Sequence, residues 1–593
     1  MENPYEKYGA HRCEIRLGHG LSWALTFVFL LICTLAPFWR NVRELFRGPN
    51  GWTPIVELFR YDPDPENTLY QHLRAAESQI EDAPYTAAPR RWLQWSLTAG
   101  LREGNRKAAI GRDGWLYFRP AIDAITGYGP LKPEPDTVAK DPNREPWSGP
   151  LDAILKFNDQ VNGYGAELIL VPIPVKPMIY PENLAGSAAD HPIRHRDAAA
   201  FYDQLKARGV EVLDLADAMR TMKAADAMEG PVFLKQDTHW TPRGMRASAK
   251  FVADALKTRP WWKEAAASAD PARFSAAAPI DLASEGDLVE KLDLPESAPV
   301  FPGESATVTP IADAKNPGGM SVFDTASPLA LLGDSFANIY HQESMKWGTN
   351  AGFAETLSLE LGLPLDTIAQ NGQASTGVRK TLATRPGAVT LMKRKKAVIW
   401  AIAERDLFLS ETVARQENIR WDAVEFQDTA LPEPPPGDAP KEIVVEAKLL
   451  RKSPFQNPKT APYDASLYAA DYEILNVLEG AYEPQQALVF HWAFKNRERL
   501  PSANYRVGST QKLTLVPLDT QTDLRAVNQA NDSELFETPL FATEVEAGAL
   551  PEDAEQKAAR IASIATGGLA TLLAMALAFV FRRKKALRAS RAG

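Results

Sequence analysis

The sequence predicts an α/β fold: a largely parallel sheet with helices on both faces, a small all-β barrel or sandwich after it, and two terminal transmembrane helices. Three observations predict it. Between residues 106 and 430, near-continuous apolar runs alternate with segments of helical periodicity, the pattern of parallel strands buried on both faces. After residue 442 the chain reads as short strands with no convincing helix. Finally, the 593-residue chain carries two long uncharged stretches, Leu21 to Trp39 and Ile561 to Phe581. At ~1.5 Å per helical residue, each is long enough to cross a hydrocarbon core of ~30 Å.

The first stretch exceeds the apolar core of a signal peptide, and no Ala-x-Ala cleavage site follows it. It reads as a retained anchor. Basic residues flank it evenly, with Lys7, Arg12 and Arg16 before it and Arg40, Arg43 and Arg47 after it. The second stretch is decisive: Arg582, Arg583, Lys584, Lys585, Arg588 and Arg591 follow it, against Lys557 and Arg560 before it. The positive-inside rule then places both termini (residues 1–20 and the basic tail 582–593) in the cytoplasm. Everything between the spans is expected outside it, in the periplasm of a bacterial inner-membrane protein. That region has no cysteine, since Cys13 and Cys33 are the only two, so burial rather than disulfides must hold it together. A net charge of −9 argues against a nucleic-acid partner. No zinc spacing, Walker loop or dinucleotide fingerprint occurs.

Residues 40–105 are aromatic and helical in pattern, a connector from the membrane. In 106–430, strands are predicted at Ala166 to Val171, Val210 to Leu215, Ser327 to Leu332 and Ala397 to Ile402. Helices are predicted over Asp197 to Arg208 and Pro242 to Lys257, the latter with Thr241 as N-cap and Pro242 in the first turn. The proline-rich stretch 431–441 continues neither a helix nor a central strand and reads as an extended linker. In 442–550, strands are predicted at Glu442 to Leu450, Asp471 to Leu478, Gln486 to Phe494 and Gln511 to Leu518.

Two short motifs carry the chemistry. Asp237-Thr238-His239-Trp240 places a carboxylate two residues before an imidazole, in a turn just ahead of a helix. Gly333-Asp334-Ser335 follows an apolar strand and opens a helix, which sets the hydroxyl at the end of the sheet beside a helix N-terminus. Serine is a poor nucleophile at neutral pH. An imidazole that takes its proton, and a carboxylate that orients the imidazole, make it a good one. His341 is the nearest rival base in sequence, and helical spacing turns it away from Ser335. The run Lys393 to Lys396 reads as a solvated loop ahead of a strand rather than a polymer-binding patch.

Together, Asp-Thr-His-Trp-Thr-Pro and Gly-Asp-Ser-Phe resemble the alginate O-acetyltransferase family of SGNH-hydrolase-like proteins, the AlgX/AlgJ type. Gly111 to Phe118 is similar to that family's entry strand, Val171 to Pro181 to its strand-end loop, and Trp400 to Leu407 to its last strand. The resemblance covers roughly 106 to 410 and implies an SGNH-hydrolase-like sheet. It implies Ser335 as nucleophile, His239 as base and Asp237 as its orienter, with the acid and base preceding the serine. An SGNH-like site also expects an oxyanion donor after a later strand, and Asn371 is the candidate. Arg405 is left outside the site, since a structural ion pair accounts for it equally well.

The resemblance further implies an O-acetyltransferase acting on an exported exopolysaccharide. No cofactor is expected to be bound. A membrane-bound O-acyltransferase partner would supply the acetyl group. The C-terminal span and the β-rich domain depart from the family pattern, which leaves the polysaccharide open. An acetyl esterase would use the same triad with water as acceptor, and a non-catalytic scaffold for polysaccharide modification is the third expectation.

Overall fold

The computed structural model describes chiefly residues 84–132, 147–186, 192–315, 324–429 and most of 442–547. The predicted spans at 21–39 and 561–581, the two termini predicted to be cytoplasmic, the linker 431–441 and most of the connector 40–105 lie outside the described residues. Among the described residues, no helix is long and apolar enough to cross a membrane. The described part of the connector is helical, at Pro84–Ser96. Residues 91–549 form one compact unit that contains both the α/β and the β-rich parts.

Five parallel strands make the central sheet: β1 (Glu167–Ile173), β2 (Glu211–Val212), β3 (Leu329–Gly333), β4 (Asp366–Ala369) and β5 (Ala397–Ala403). Their order is β4-β3-β5-β1-β2. Alternate side chains leave opposite faces, as the pleat requires. Ile169, Val171, Leu329, Leu331 and Ile399 enter one core with Met245, Val252 and Leu256 of the helix Pro242–Lys257. Leu168, Leu170, Ala330, Val398 and Trp400 enter the other core with Phe157 of Pro150–Gly163 and Leu205 of Ala198–Ala207. Both faces are therefore covered, as the unbroken apolar runs predict.

Several predicted elements differ in extent. The strand expected at Val210 to Leu215 shrinks to two residues, although the Leu213 and Leu215 N–H groups still donate to the Leu170 and Pro172 carbonyls of β1. The segment Gly111 to Phe118 is not one strand. Ala108–Ile110 and Leu116–Phe118 pair antiparallel around a turn with Asp113 and Gly114 at positive φ. β4 was not predicted, since Asp366 and Thr367 interrupt its apolar pattern. Asp366 is buried there and ion-paired to Arg385 and to Lys395. That pair also corrects part of the reading of Lys393 to Lys396 as a solvated loop: Lys393 and Arg394 are exposed in a turn as expected, but Lys395 is buried and Lys396 is ion-paired to Glu264.

The β-rich part has seven strands: β6 (Ile443–Lys452), β7 (Ser466–Glu479), β8 (Gln486–Lys495), β9 (Glu498–Arg499), β10 (Thr510–Pro517), β11 (Asn528–Ala530) and β12 (Leu540–Ala547). Five of them close on themselves, β6-β7-β8-β12-β10 and back to β6. β8 and β12 are parallel, and the other neighbours in the ring are antiparallel. This makes the domain a barrel rather than a sandwich, and the connectivity is that of the five-stranded Greek-key barrels called OB folds. Val445, Leu449, Tyr468, Val489, Leu513 and Leu515 fill its interior. The closing strand β12 was not predicted. Its outer positions carry Thr543 and Glu544, which dilute the apolar signal.

Candidate active site

The site lies at the carboxyl ends of the central strands, where open α/β sheets place their ligands. β3 ends in Gly333, and Ser335 begins a single helical turn, Ser335–Asn338. Gly333 is required here by close approach rather than by a positive φ. A Cβ on it would lie 2.9 Å from the Cβ of Ala337. The turn is shorter than the predicted helix, and its donors are largely spent. The Phe336 N–H donates to Asp334 Oδ1 at 2.8 Å, and those of Ala337 and Asn338 donate to the Asp334 carbonyl.

His239 reaches the same point from the segment before the helix Pro242–Lys257. As predicted, Thr241 caps that helix by accepting from the Gly244 N–H. The Leu234 N–H donates to the His239 carbonyl, and Phe233 bridges to Trp240. Trp240 Nε1 donates to the Phe336 carbonyl at 3.0 Å, tying the base-bearing segment to the serine turn. The ring sits edge-on to Phe336.

The three predicted residues meet. His239 Nε2 is 2.8 Å from Ser335 Oγ, and His239 Nδ1 is 2.6 Å from Asp237 Oδ1. All three are buried, with Ser335 1%, His239 2% and Asp237 3% exposed. Asp237 Oδ1 also accepts the His239 N–H, and Oδ2 accepts from the Asp287 N–H and Trp347 Nε1. Burial alone would raise this carboxyl, but the His239 ring and the hydrogen bonds outweigh it and hold it well below the usual carboxylate range. A charged, fully bonded carboxylate fixes the imidazole with Nδ1 as donor and leaves Nε2 to accept the serine proton. Asp237, His239 and Asp287 lie near enough together to suggest a cation site. With four N–H donors already on Asp237 and Nδ1 of His239 engaged, the set is built to orient a base rather than to ligate a metal.

Sequence reasoning missed the supports of this segment. Asp287 accepts from the Thr238 N–H and Oγ1, and Glu304 accepts from the N–H groups of Lys235 and Gln236. Buried Lys176 donates to the carbonyls of Leu116 and Lys235, and burial lowers its pKa to about 8. No local motif marks these residues. The nearest signal is Gly286, where a Cβ would strike the Gln236 carbonyl.

Asn371 follows β4 and is buried, as an SGNH-like site expects. Its Oδ1 accepts from Asn338 Nδ2 at 2.9 Å, and its Nδ2 faces Gln342 Oε1 and Met345 Sδ, each at 3.4 Å. His341 is buried and paired with Glu355, away from the serine. A residue outside the α/β part completes the site. Tyr463, in the barrel's β6–β7 loop, donates its hydroxyl to Ser335 Oγ at 3.2 Å.

Residues 108–404 match the family model described as SGNH hydrolase-like domain, acetyltransferase AlgX. The chain belongs to the AlgX family. It is 28% identical over 244 residues to a probable alginate O-acetylase AlgJ of Pseudomonas putida, a match covering 40% of this chain and 56% of that protein. A Pseudomonas syringae AlgJ is 25% identical, covering 44% of this chain and 63% of that protein. The chain therefore spans less than two thirds of these relatives' length. Among solved structures, the O-acetyltransferase domain of Pseudomonas putida AlgJ is similar at 22% identity with a TM-score of 0.33, covering 51% of this chain and 92% of that domain. The AlgX-family match contains the triad and Asn371 but stops just before Arg405, and the barrel with Tyr463 lies beyond it.

Proposed function

We propose that this protein is an O-acetyltransferase that carries an acetyl group as an ester on Ser335 and passes it to a hydroxyl of an exported polysaccharide. His239 Nε2 takes the Ser335 Oγ proton as Oγ attacks the acetyl carbonyl of the donor. That proton goes to the donor's leaving oxygen as the old ester bond breaks. A sugar hydroxyl then attacks the acetyl-serine, His239 takes its proton, and Ser335 Oγ recovers a proton as it leaves. Asn371 serves as oxyanion donor once its amide turns from the long contacts to Gln342 and Met345.

The observation that carries this reading is the unbroken Asp237–His239–Ser335 chain, all three members of which are almost fully buried. An acyl-enzyme that must wait for a sugar benefits from a dry site. Membership of the AlgX family and the names of the Pseudomonas relatives support acetyl transfer to an alginate-like polymer. The two apolar stretches support a periplasmic site beside the inner membrane. There a membrane-bound O-acyltransferase would supply acetyl, with no cofactor held by this chain. The test is phenol release from a chromogenic acetyl ester by the full-length protein, with and without alginate oligosaccharides, beside Ser335→Ala. Acceptor-stimulated release with acetylated sugar is expected. Release to water alone, with no acetylated sugar, would identify an esterase.

A further inference from the structure

Two barrel loops reach the carboxyl end of the central sheet. The β6–β7 loop brings Tyr463. The segment between β10 and β12 brings Asn528, whose Nδ2 donates to the Asn371 carbonyl at 2.6 Å. The Tyr463 ring packs over Gly372, which has φ +71°, and a Cβ there would lie 2.8 Å from the ring. Between them, these loops and the α/β part line a small cleft bordered by Phe118, Gln373, Arg405, Asp406, Tyr463 and Asn528 among others.

Its polar groups are unusual for a plain domain contact. Asp406 is 2% exposed, and neither carboxylate oxygen has a hydrogen-bond partner among the described residues. Arg405 Nη1 has none either. The two touch only as an ion pair, Arg405 Nε to Asp406 Oδ1 at 3.1 Å. A buried ion pair is costly unless its remaining lone pairs and protons are satisfied. A sugar ring satisfies both, with vicinal hydroxyls donating to Asp406 and ring or carboxylate oxygens accepting from Arg405. Phe118 borders the same cleft, with the Arg405 guanidinium over its ring at 5.5 Å.

We propose that this cleft is the acceptor subsite, built jointly by the α/β part and the barrel, and that it takes a polyhydroxylated pyranoside. It rests on the acetyl-transfer function proposed above. The Tyr463 hydroxyl, donating to Ser335 Oγ, holds the place of the incoming sugar hydroxyl until the sugar displaces it. In OB barrels, the loops after the first strand and between the fourth and fifth strands contribute to binding oligosaccharides. The loops carrying Tyr463 and Asn528 are those two. This correspondence is an analogy of fold, and the Arg405 Nη1 and Asp406 oxygens left without hydrogen bonds carry the assignment.

The experiment is the partition of the acetyl-enzyme between sugar and water. Full-length protein is acylated with 4-nitrophenyl acetate in the presence of alginate oligosaccharides or, separately, a neutral gluco-oligosaccharide. With the free acetate from uncatalysed ester hydrolysis, measured in Ser335→Ala, subtracted, the ratio of acetylated sugar to free acetate does not depend on the acylation rate or on the folded fraction. Asp406→Asn and Asn528→Ala are expected to lower that ratio about tenfold. Tyr463→Ala is expected to lower it further by admitting water. A ratio unmoved in all three variants, with the parent transferring normally, overturns the subsite and leaves the transferase function standing. A parent that is never acylated, or never transfers, overturns the function itself. Loss confined to the alginate arm identifies a uronate acceptor, and equal loss in both arms a neutral ring contact; either supports the subsite.

Discussion

At the scale of residues, the site is a proton path with one well-defined direction. Asp237 spends its oxygens on four donors, so it stays ionised and keeps the proton on His239 Nδ1. Asp237→Asn should preserve the fold and lower the rate of Ser335 acylation by roughly 10³–10⁴, because the amide permits the wrong tautomer; stopped-flow release of 4-nitrophenol measures it. Asn371→Ala should lower the same rate by roughly 10²–10³. A smaller loss would mean that its contacts to Asn338, Gln342 and Met345 are its whole role. The triad was legible because its three members sit in two short motifs. Trp347, Asp287 and Glu304 were not, because their contacts to the Asp237 segment are tertiary and leave no local pattern. Arg405 was visible as a residue but not as a cleft group. Its unsatisfied Nη1 exists only in three dimensions.

At the scale of elements, the central strands and the helix Pro242–Lys257 followed from periodicity and capping, since burial on both faces and a Thr-Pro start are local properties. β4 and β12 escaped because their polar positions are satisfied by distant or solvent contacts. The barrel interior adds a feature that no pattern announces. His491 is buried within it, bonded to the Tyr472 hydroxyl, which in turn donates to Gln511. Burial, reinforced by Lys452, lowers the His491 pKa to about 3. The unfolded chain binds the His491 proton below about pH 6.5, whereas the folded barrel resists it down to about 3. The unfolded state thus holds more protons in that window, and stability rises with pH across it. Stability should fall by an amount on the order of a few kcal/mol between pH 6.5 and pH 3. In urea unfolding monitored across that range, His491→Gln should flatten the slope, and an unchanged slope would assign the acid sensitivity elsewhere.

At the scale of the whole molecule, the AlgX-family part holds the Asp237–His239–Ser335 chain, and the barrel reaches it through Tyr463. The order of parts along the chain was legible: α/β region, proline-rich linker, β-rich region. Their convergence on Ser335 was not, because nothing near Tyr463 or Asn528 in sequence signals a partner far earlier in the chain. This arrangement accounts for a nucleophile that is 1% exposed yet lies at the sheet end where ligands enter. The central claim is that acetyl resides on Ser335 between donor and sugar. Mass spectrometry of protein quenched in acid after brief exposure to 4-nitrophenyl acetate tests it most directly. An acetyl group is expected on the Ser335 peptide, disappearing when alginate oligosaccharides are added before the quench and absent from Ser335→Ala. An unmodified Ser335 peptide, or an acetyl group that persists in Ser335→Ala, would contradict it.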